Sequence, residues 1–412
     1  MKILSVFAAI MMLLLPSIVF ASSENTICKF DEKGFLILDG RKQFPIGIFV
    51  SFSPAWIDSD PNTLEESLKD IQTSPFNFMI NYSSRSGTLD QKKRYYNQVS
   101  KHNLWEFFGV EKYFKEIGHD GWQIQFEGTE QEVITKTISE LKELPGILGW
   151  YIWDELPQDA NLVRDHHVWA KAADSSRPTL ILSSQHETYE LKQYADSGDI
   201  FGIDRYPLPS RGDITLVADV MDNLTSATPS NKPLWLTVQG FGDYVYGDAR
   251  NGVKVGPSTL RGHLRGPTPA EMRCMTYLSL VHGAKGIIFY YYKDFQVSYD
   301  KNTRWPAVKA IASDVKQIEP ILLAEKFSSK LVHANNINIH WMAKYLNGKI
   351  YIVAVNASRE VQNILFKFSK PVHVSNIMQG HSFNYANDKE MVLIMDGYNS
   401  IVLELTEVSD NQ

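Results

Sequence analysis

Short apolar runs alternate along most of the chain with longer segments in which apolar residues recur every three or four positions. The first pattern is that of buried strands, the second that of helices packed by one face. The runs are Pro45–Phe52, Asn77–Tyr82, Leu104–Val110, Ile147–Trp153, Thr179–Ser184, Ile200–Asp204, Leu234–Gln239 and Gly286–Tyr291, with helical segments such as Glu130–Glu143 and Glu271–His282 between them. Eight strand–helix units over roughly 270 residues predict an α/β fold of the (β/α)8 TIM-barrel type, whose usual length is about 250. A doubly wound open sheet is the rival architecture. Against it, Asn81, Glu155, Asp204, Gln239 and Tyr292 fall at run ends that a barrel gathers on one rim, and that rim is a barrel's active face.

The flanks read differently. Cys28 to Phe44 predicts a hairpin turning at Asp39-Gly40. Trp305–Leu323, with Pro306 near its start, predicts a last helix. From Lys330 onward come short alternating runs, among them INIHWMAKY, KIYIVAV, NILFKF, VHVSNI, MVLIM and SIVLEL, separated by turn signals at Asn347-Gly348 and Asp396-Gly397. They predict a small C-terminal antiparallel β-sandwich. The expected division is a signal peptide over 1–21, a barrel with its N-terminal hairpin over 22–326, and the sandwich over 327–412. No Pro/Gly-rich linker separates the last two, so the sandwich is expected to pack on the barrel.

The first residues carry a positive charge at Lys2, an apolar stretch broken by Pro16, and small residues at Val19 and Ala21. They predict a cleavable leader cut after Ala21 and a secreted or periplasmic protein; a retained anchor is the alternative, since the stretch approaches the roughly 18 residues of a spanning helix. Loss of Lys2 takes the formal charge from −6 to −7, spread without blocks of one sign. Neither nucleic acid nor an anionic membrane surface is implied as a partner. Two cysteines, Cys28 and Cys274, are too few for a disulfide scaffold, and pairing or separate burial both remain open. No histidine spacing suits a metal, and no phosphate loop or dinucleotide fingerprint is present, so neither metal nor cofactor is expected.

The chemistry concentrates in GWYIWDELP, Gly149 to Pro157, where an apolar run ends on the adjacent carboxylates Asp154 and Glu155. One reading is a catalytic pair walled by Trp150, Tyr151 and Trp153, because aromatic rings stack on the apolar faces of sugars. The other is a cap for the helix carrying Val163 to Ala173.

Together, FPIGIF, WYIWDELP, FGIDRYPLP, PLWLTVQGFG and MRCMTYLSLVHGAKGIIFYYY, with the C-terminal sandwich, resemble the glycoside hydrolases of clan A. The resemblance spans essentially the whole mature chain. It implies that Glu155, closing the fourth barrel run, is the general acid/base. Asp154 stands where the clan usually has Asn, and Gln239 stands where it has a Glu nucleophile. An amide cannot form the glycosyl ester of the retaining mechanism, so that chemistry does not transfer whole.

The expected function is hydrolysis of O-glycosidic bonds in a polysaccharide or glycan, with Glu155 protonated by virtue of an apolar surround. For the second group there are three candidates. Asp204 in GIDRYP would activate water if inversion holds. Asp154 would orient a substrate acetamido group, as in substrate-assisted N-acetylhexosaminidases, which the Asp-Glu pair resembles. A rim residue such as Glu111, Asp243 or Asp294 is the third. Asn81, Arg85, Gln239 and Tyr292 are expected to bind hydroxyls or orient Glu155, or else to be structural rim contacts, and Trp56, Tyr113, Trp153, Tyr206, Phe241 and Tyr291 to stack on sugar or to fill the core. Gly240–Pro269 reads as a substrate loop or a plain connection. Trp341, Tyr345 and Tyr351 are candidates for a binding platform on the sandwich, and Asn81, Asn223 and Asn356 head glycosylation triplets. A catalytically silent sugar-binding barrel is the rival from another class, favoured by Gln239.

Overall fold

The computed structural model describes residues 28–110, 126, 128–208, 213–242, 265–297, 301–327, 332–333, 336–378, 383–387 and 389–407. The expected leader, Glu111, Tyr113 and Asp243 lie outside them. So does most of Gly240–Pro269.

Strands β1 (Cys28–Phe30), β2 (Leu36–Leu38) and β3 (Arg41–Gln43) form a small antiparallel sheet. The β2–β3 turn falls on Asp39 and Gly40, at φ 50° and 74°. Positive φ at both positions is what a two-residue turn with the twist of its strands requires. Cys28, Leu36 and Leu38 pack into one cluster with Phe49, Phe78 and Ile200. The hairpin therefore plugs the end of the barrel at which the strands begin.

The barrel is β4 (Ile46–Val50), β5 (Phe78–Asn81), β6 (Trp105–Gly109), β7 (Ile147–Trp153), β8 (Thr179–Ser183), β9 (Ile200–Asp204), β10 (Leu234–Gln239) and β11 (Gly286–Tyr290), closed and parallel throughout. Its interior is filled by aromatic rings set against glycines. Gly47 pairs with Phe78, Gly149 with Phe107, and Trp235 lies between Gly202 and Gly286 in register. A Cβ added at Gly286 would stand 2.7 Å from the Trp235 ring, so only glycine admits the indole there.

Beyond the barrel, the expected last helix is broken into Lys301–Gln317 and Glu319–Leu322. Pro320, which has no N–H to donate, sits in the first turn of the second piece. The sandwich comprises β12 (Glu325–Lys326), β13 (Val332–His333), β14 (Ile339–Leu346), β15 (Lys349–Asn356), β16 (Gln362–Phe368), β17 (Val372–Asn376), β18 (Phe383–Asn387), β19 (Glu390–Met395) and β20 (Ser400–Glu407). They make a five-stranded sheet, β12-β14-β15-β20-β17, over a four-stranded one, β13-β16-β19-β18. The five-stranded sheet is buried on both faces. Ile352, Ala354, Ile401 and Leu403 face the sandwich core, while Met342, Val353, Val355 and Val402 join the core of the barrel's helical layer.

That double burial removes the aromatic platform. Trp341 packs inward, with its ring 6.0 Å from Phe366. Tyr351 pairs with Lys344 and so lies on the opposite face from Trp341 and Tyr345. The glycosylation triplets fare no better. Asn81 and Asn356 are buried, and the Asn223 amide is engaged by Thr188 and the His186 carbonyl. Cys28 and Cys274 are separate buried thiols.

Candidate active site

The site forms where β7 ends. Regular alternation from Tyr151 would turn Trp153 and then Glu155 into the barrel. A β-bulge between Tyr151 and Trp153 interrupts it, because Tyr151 pairs with Leu180 while Trp153 pairs with Ile181, leaving Ile152 as the extra residue. Tyr151 faces the barrel interior, but Ile152 and Trp153 both join the outer, helix-facing core. A bulge re-aims every side chain beyond it. The next inward position therefore belongs to Asp154. Glu155 follows at φ 48°, a left-handed conformation that non-glycine residues seldom adopt, and its side chain is exposed. The bulge is braced from outside by buried His166, which faces the Ile152 backbone and whose ring centroid lies 4.8 Å from that of Trp153. Tyr194 donates to the Pro157 carbonyl and holds the departing chain.

Asp154 enters an aromatic enclosure. Phe49 and Tyr82 stack at 5.1 Å, Tyr290 stands 5.2 Å from Phe49 and 5.8 Å from Tyr206, and Phe241 lies 4.9 Å from Tyr206. Tyr291 follows Tyr290 through a cis peptide. Burial pushes the Asp154 carboxyl up to about 6, and the Glu155 charge adds to the shift; the hydroxyls of Tyr151 and Tyr82 face the carboxyl and pull the other way. Asp204, from the end of β9, is buried in the same enclosure. Burial, and then the charges of Asp154 and Glu155, raise its carboxyl well above the ordinary range, against the Tyr206 hydroxyl. The charge of Glu155 thus acts on Asp154, and the charges of both act on Asp204. Asp204 is buried and Asp154 half-buried, whereas Glu155 is exposed.

Other expected site residues serve the scaffold. The Asn81 amide bonds both backbone groups of Phe52 and reaches Tyr95 and Glu106, so it clamps β5 to its neighbours. Arg85 donates from Nε to the Gly109 carbonyl at 3.1 Å. Gln239 is fully buried, and its amide is taken up by the N–H and carbonyl of Leu208 and the carbonyl of Phe241. It fixes the segment that carries Tyr206 and is not positioned to bind substrate. Trp153 points into the helical layer. Tyr292 does too, with its hydroxyl on Asp70 at 3.1 Å. Trp56 packs near Phe52, 6.0 Å away, outside the enclosure. Asp294 is buried beside Arg304 and is not a rim carboxylate. Of the expected residues, Asp154, Glu155, Asp204, Tyr206, Phe241 and Tyr291 are brought together. Tyr151, expected in the wall, is there. Phe49, Tyr82, Thr237 and Tyr290 join them without having been singled out; period-two alternation along the other runs marks all four as inward, and that was the available signal.

No protein-family model and no curated protein matches the chain. Solved structures share its fold. A glycoside hydrolase matches with a TM-score of 0.62 at 11% identity, covering 94% of this chain and 98% of its own. A family 5 glycoside hydrolase from Bacteroides vulgatus gives 0.61 at 12%, covering 95% and 96%. An α-amylase from Geobacillus thermoleovorans, complexed with acarbose, gives 0.55 at 12%, covering 89% and 99%. At such identities the likeness is one of fold.

Proposed function

We propose that this barrel hydrolyses O-glycosidic bonds in a polysaccharide or glycan, with Glu155 as proton donor and Asp154 as the anion facing the positive charge that develops on the sugar. The reading is carried by the gathering of Asp154 and Asp204 in one aromatic enclosure at the C-terminal mouth of the barrel, with exposed Glu155 beside them. Cleavage of an acetal needs a proton for the departing oxygen and a negative or nucleophilic group at the anomeric carbon. Exposed Glu155 stands at the rim beside this enclosure, where a bound sugar would bring its leaving oxygen within reach of the carboxyl. Asp154, ionised above about pH 6 and faced by two tyrosine hydroxyls, suits the second role. It either attacks directly or orients an acetamido group, and the first-formed anomers of acetylated and plain substrates separate the two. Burial and the neighbouring carboxyls favour the protonated form of Asp204, which weighs against the inverting role expected of it. The glycoside hydrolases that share the fold support the substrate class.

Glu155→Gln is the direct test, read on two aryl glycosides of one sugar. With a poor leaving group, kcat/KM is expected to fall about 10²- to 10⁴-fold, the usual worth of a general acid. With dinitrophenolate, which leaves without a proton, most of the rate should survive. Equal losses on both substrates would remove Glu155 from the donor role.

The backbone bonds that consume the Gln239 amide favour a second reading, a silent sugar-binding barrel. Binding without turnover across a glycan panel would select it. Export through the leader belongs to the same proposal. N-terminal sequencing of the exported protein should begin at Ser22, and a mature chain that keeps Met1 would overturn it.

A further inference from the structure

Among the described residues, Oδ1 of Asp204 and Oγ1 of Thr237 inside the barrel mouth find no partner. Both residues are buried, Thr237 completely and Asp204 to within 8%. They stand side by side, because Thr237 of β10 is in register with Asp204 of β9 and both project inward, one step above the Gly202–Trp235 pair. A buried hydroxyl or carboxyl without a partner is costly, and native structures hold few of them. Two adjacent ones that open on the same enclosure mark a place where the missing partner comes from outside the chain.

The surroundings define that partner. The groups acting on Asp154 and Asp204 are carboxyls and tyrosines. A carboxylate or phosphate brought into their midst would be repelled, whereas a neutral hydroxyl would not. We propose that Asp204 and Thr237 form a subsite for one neutral hydroxyl of the bound sugar, and that Asp204 serves there as a binding and specificity-determining residue and not as a base. The ligand class rests on the glycosidase reading; the pairing of the two side chains does not.

The chemistry is matched on both sides. Burial and two neighbouring carboxyls favour the protonated form of Asp204, and that carboxylic acid both donates and accepts. The Thr237 hydroxyl does the same from a β-branched side chain with few rotamers to lose. A sugar hydroxyl set between them gives one hydrogen and receives another.

The test joins stability to binding. Thr237→Val replaces the unpartnered hydroxyl by a methyl of similar size, so Tm should rise by about 1 to 3 °C. A hydroxyl satisfied inside the fold would give a fall. Calorimetric titration with the methyl glycosides of glucose, galactose, mannose, xylose and N-acetylglucosamine reads the second effect. Thr237→Val should weaken whichever binds about tenfold or more, and Asp204→Ala should weaken it at least tenfold more than Asp204→Asn, whose neutral amide still donates and accepts. A lowered Tm in Thr237→Val, unchanged sugar affinity, or equal losses in Asp204→Asn and Asp204→Ala would each overturn the subsite. Should none of the five sugars bind, the glycosidase reading suffers and the Tm shift alone decides: a rise supports an open hydroxyl pair and a fall removes it.

Discussion

Asp154→Asn is expected to lower kcat about 10²- to 10⁴-fold on every glycoside the protein cleaves, whatever the leaving group. The reason lies in the bulge of β7. It makes Asp154 the only residue of the Asp-Glu pair that faces inward, and the hydroxyls of Tyr82 and Tyr151 face its carboxyl. An amide of the same shape keeps the packing but cannot oppose positive charge at an anomeric carbon. Because the working form is the anion and its carboxyl is pushed up to about 6, wild-type kcat/KM should rise with pH through about 6. The Asn variant should lose that limb. Stability should move the other way. The folded carboxyl holds its proton more tightly than the unfolded one, so its contribution is present below about pH 4 and is lost as pH climbs through about 6. Asparagine does not charge, and the variant's stability should decline less over that window, by a margin of at most about 2 to 3 kcal/mol. A rate within threefold of wild type would exclude Asp154 from the chemistry. A limb that stays near 6 in the variant would assign it to Asp204.

The barrel was legible because its signal is repeated. Eight apolar runs bounded by polar residues leave little freedom, and the ends of β7, β9 and β10 fall where the pattern placed them. Parity within a run is a weaker signal, since one inserted residue reverses it. Nothing in YIWDE announces that Ile152 is extra. The bulge consequently exchanged the expected roles of Trp153, Asp154 and Glu155: the tryptophan left the sugar wall, the aspartate took the inward position, and the glutamate stayed in solvent. Long-range satisfaction was invisible for a different reason. Asn81 and Gln239 are polar residues at strand ends, the usual mark of a rim ligand. Their amides are nevertheless consumed by Phe52, Leu208 and Phe241, partners fixed only once the barrel closes. In the sandwich, period-two patterning located six strands but not β18, nor β12 and β13, whose two residues each are too short to show a period.

Trp235→Ala is expected to be the most destabilising change in the floor beneath this site. The indole is fully buried, with ring centroids 5.0 Å from Phe78 and 5.7 Å from Phe107. Its neighbours in register are Gly202 and Gly286, so neither directly paired residue has a side chain to fill the void. Removing a large aromatic from such a place costs about 3 to 5 kcal/mol, and the upper end applies where collapse is blocked. For a chain of this size that corresponds to a Tm lower by about 5 to 10 °C. The glycine pairing supplies a sharper test. Gly286→Ala alone drives a methyl against the indole at 2.7 Å and should destabilise; combined with Trp235→Ala, the same methyl enters the cavity and should recover stability. A change of sign between the two backgrounds is the expected result, measured by thermal or urea unfolding. Simple additivity would mean that Trp235 and Gly286 do not share the interior as described. The floor that positions Asp204 and Thr237 one step above would then need another explanation, because their inward orientation follows from the same register.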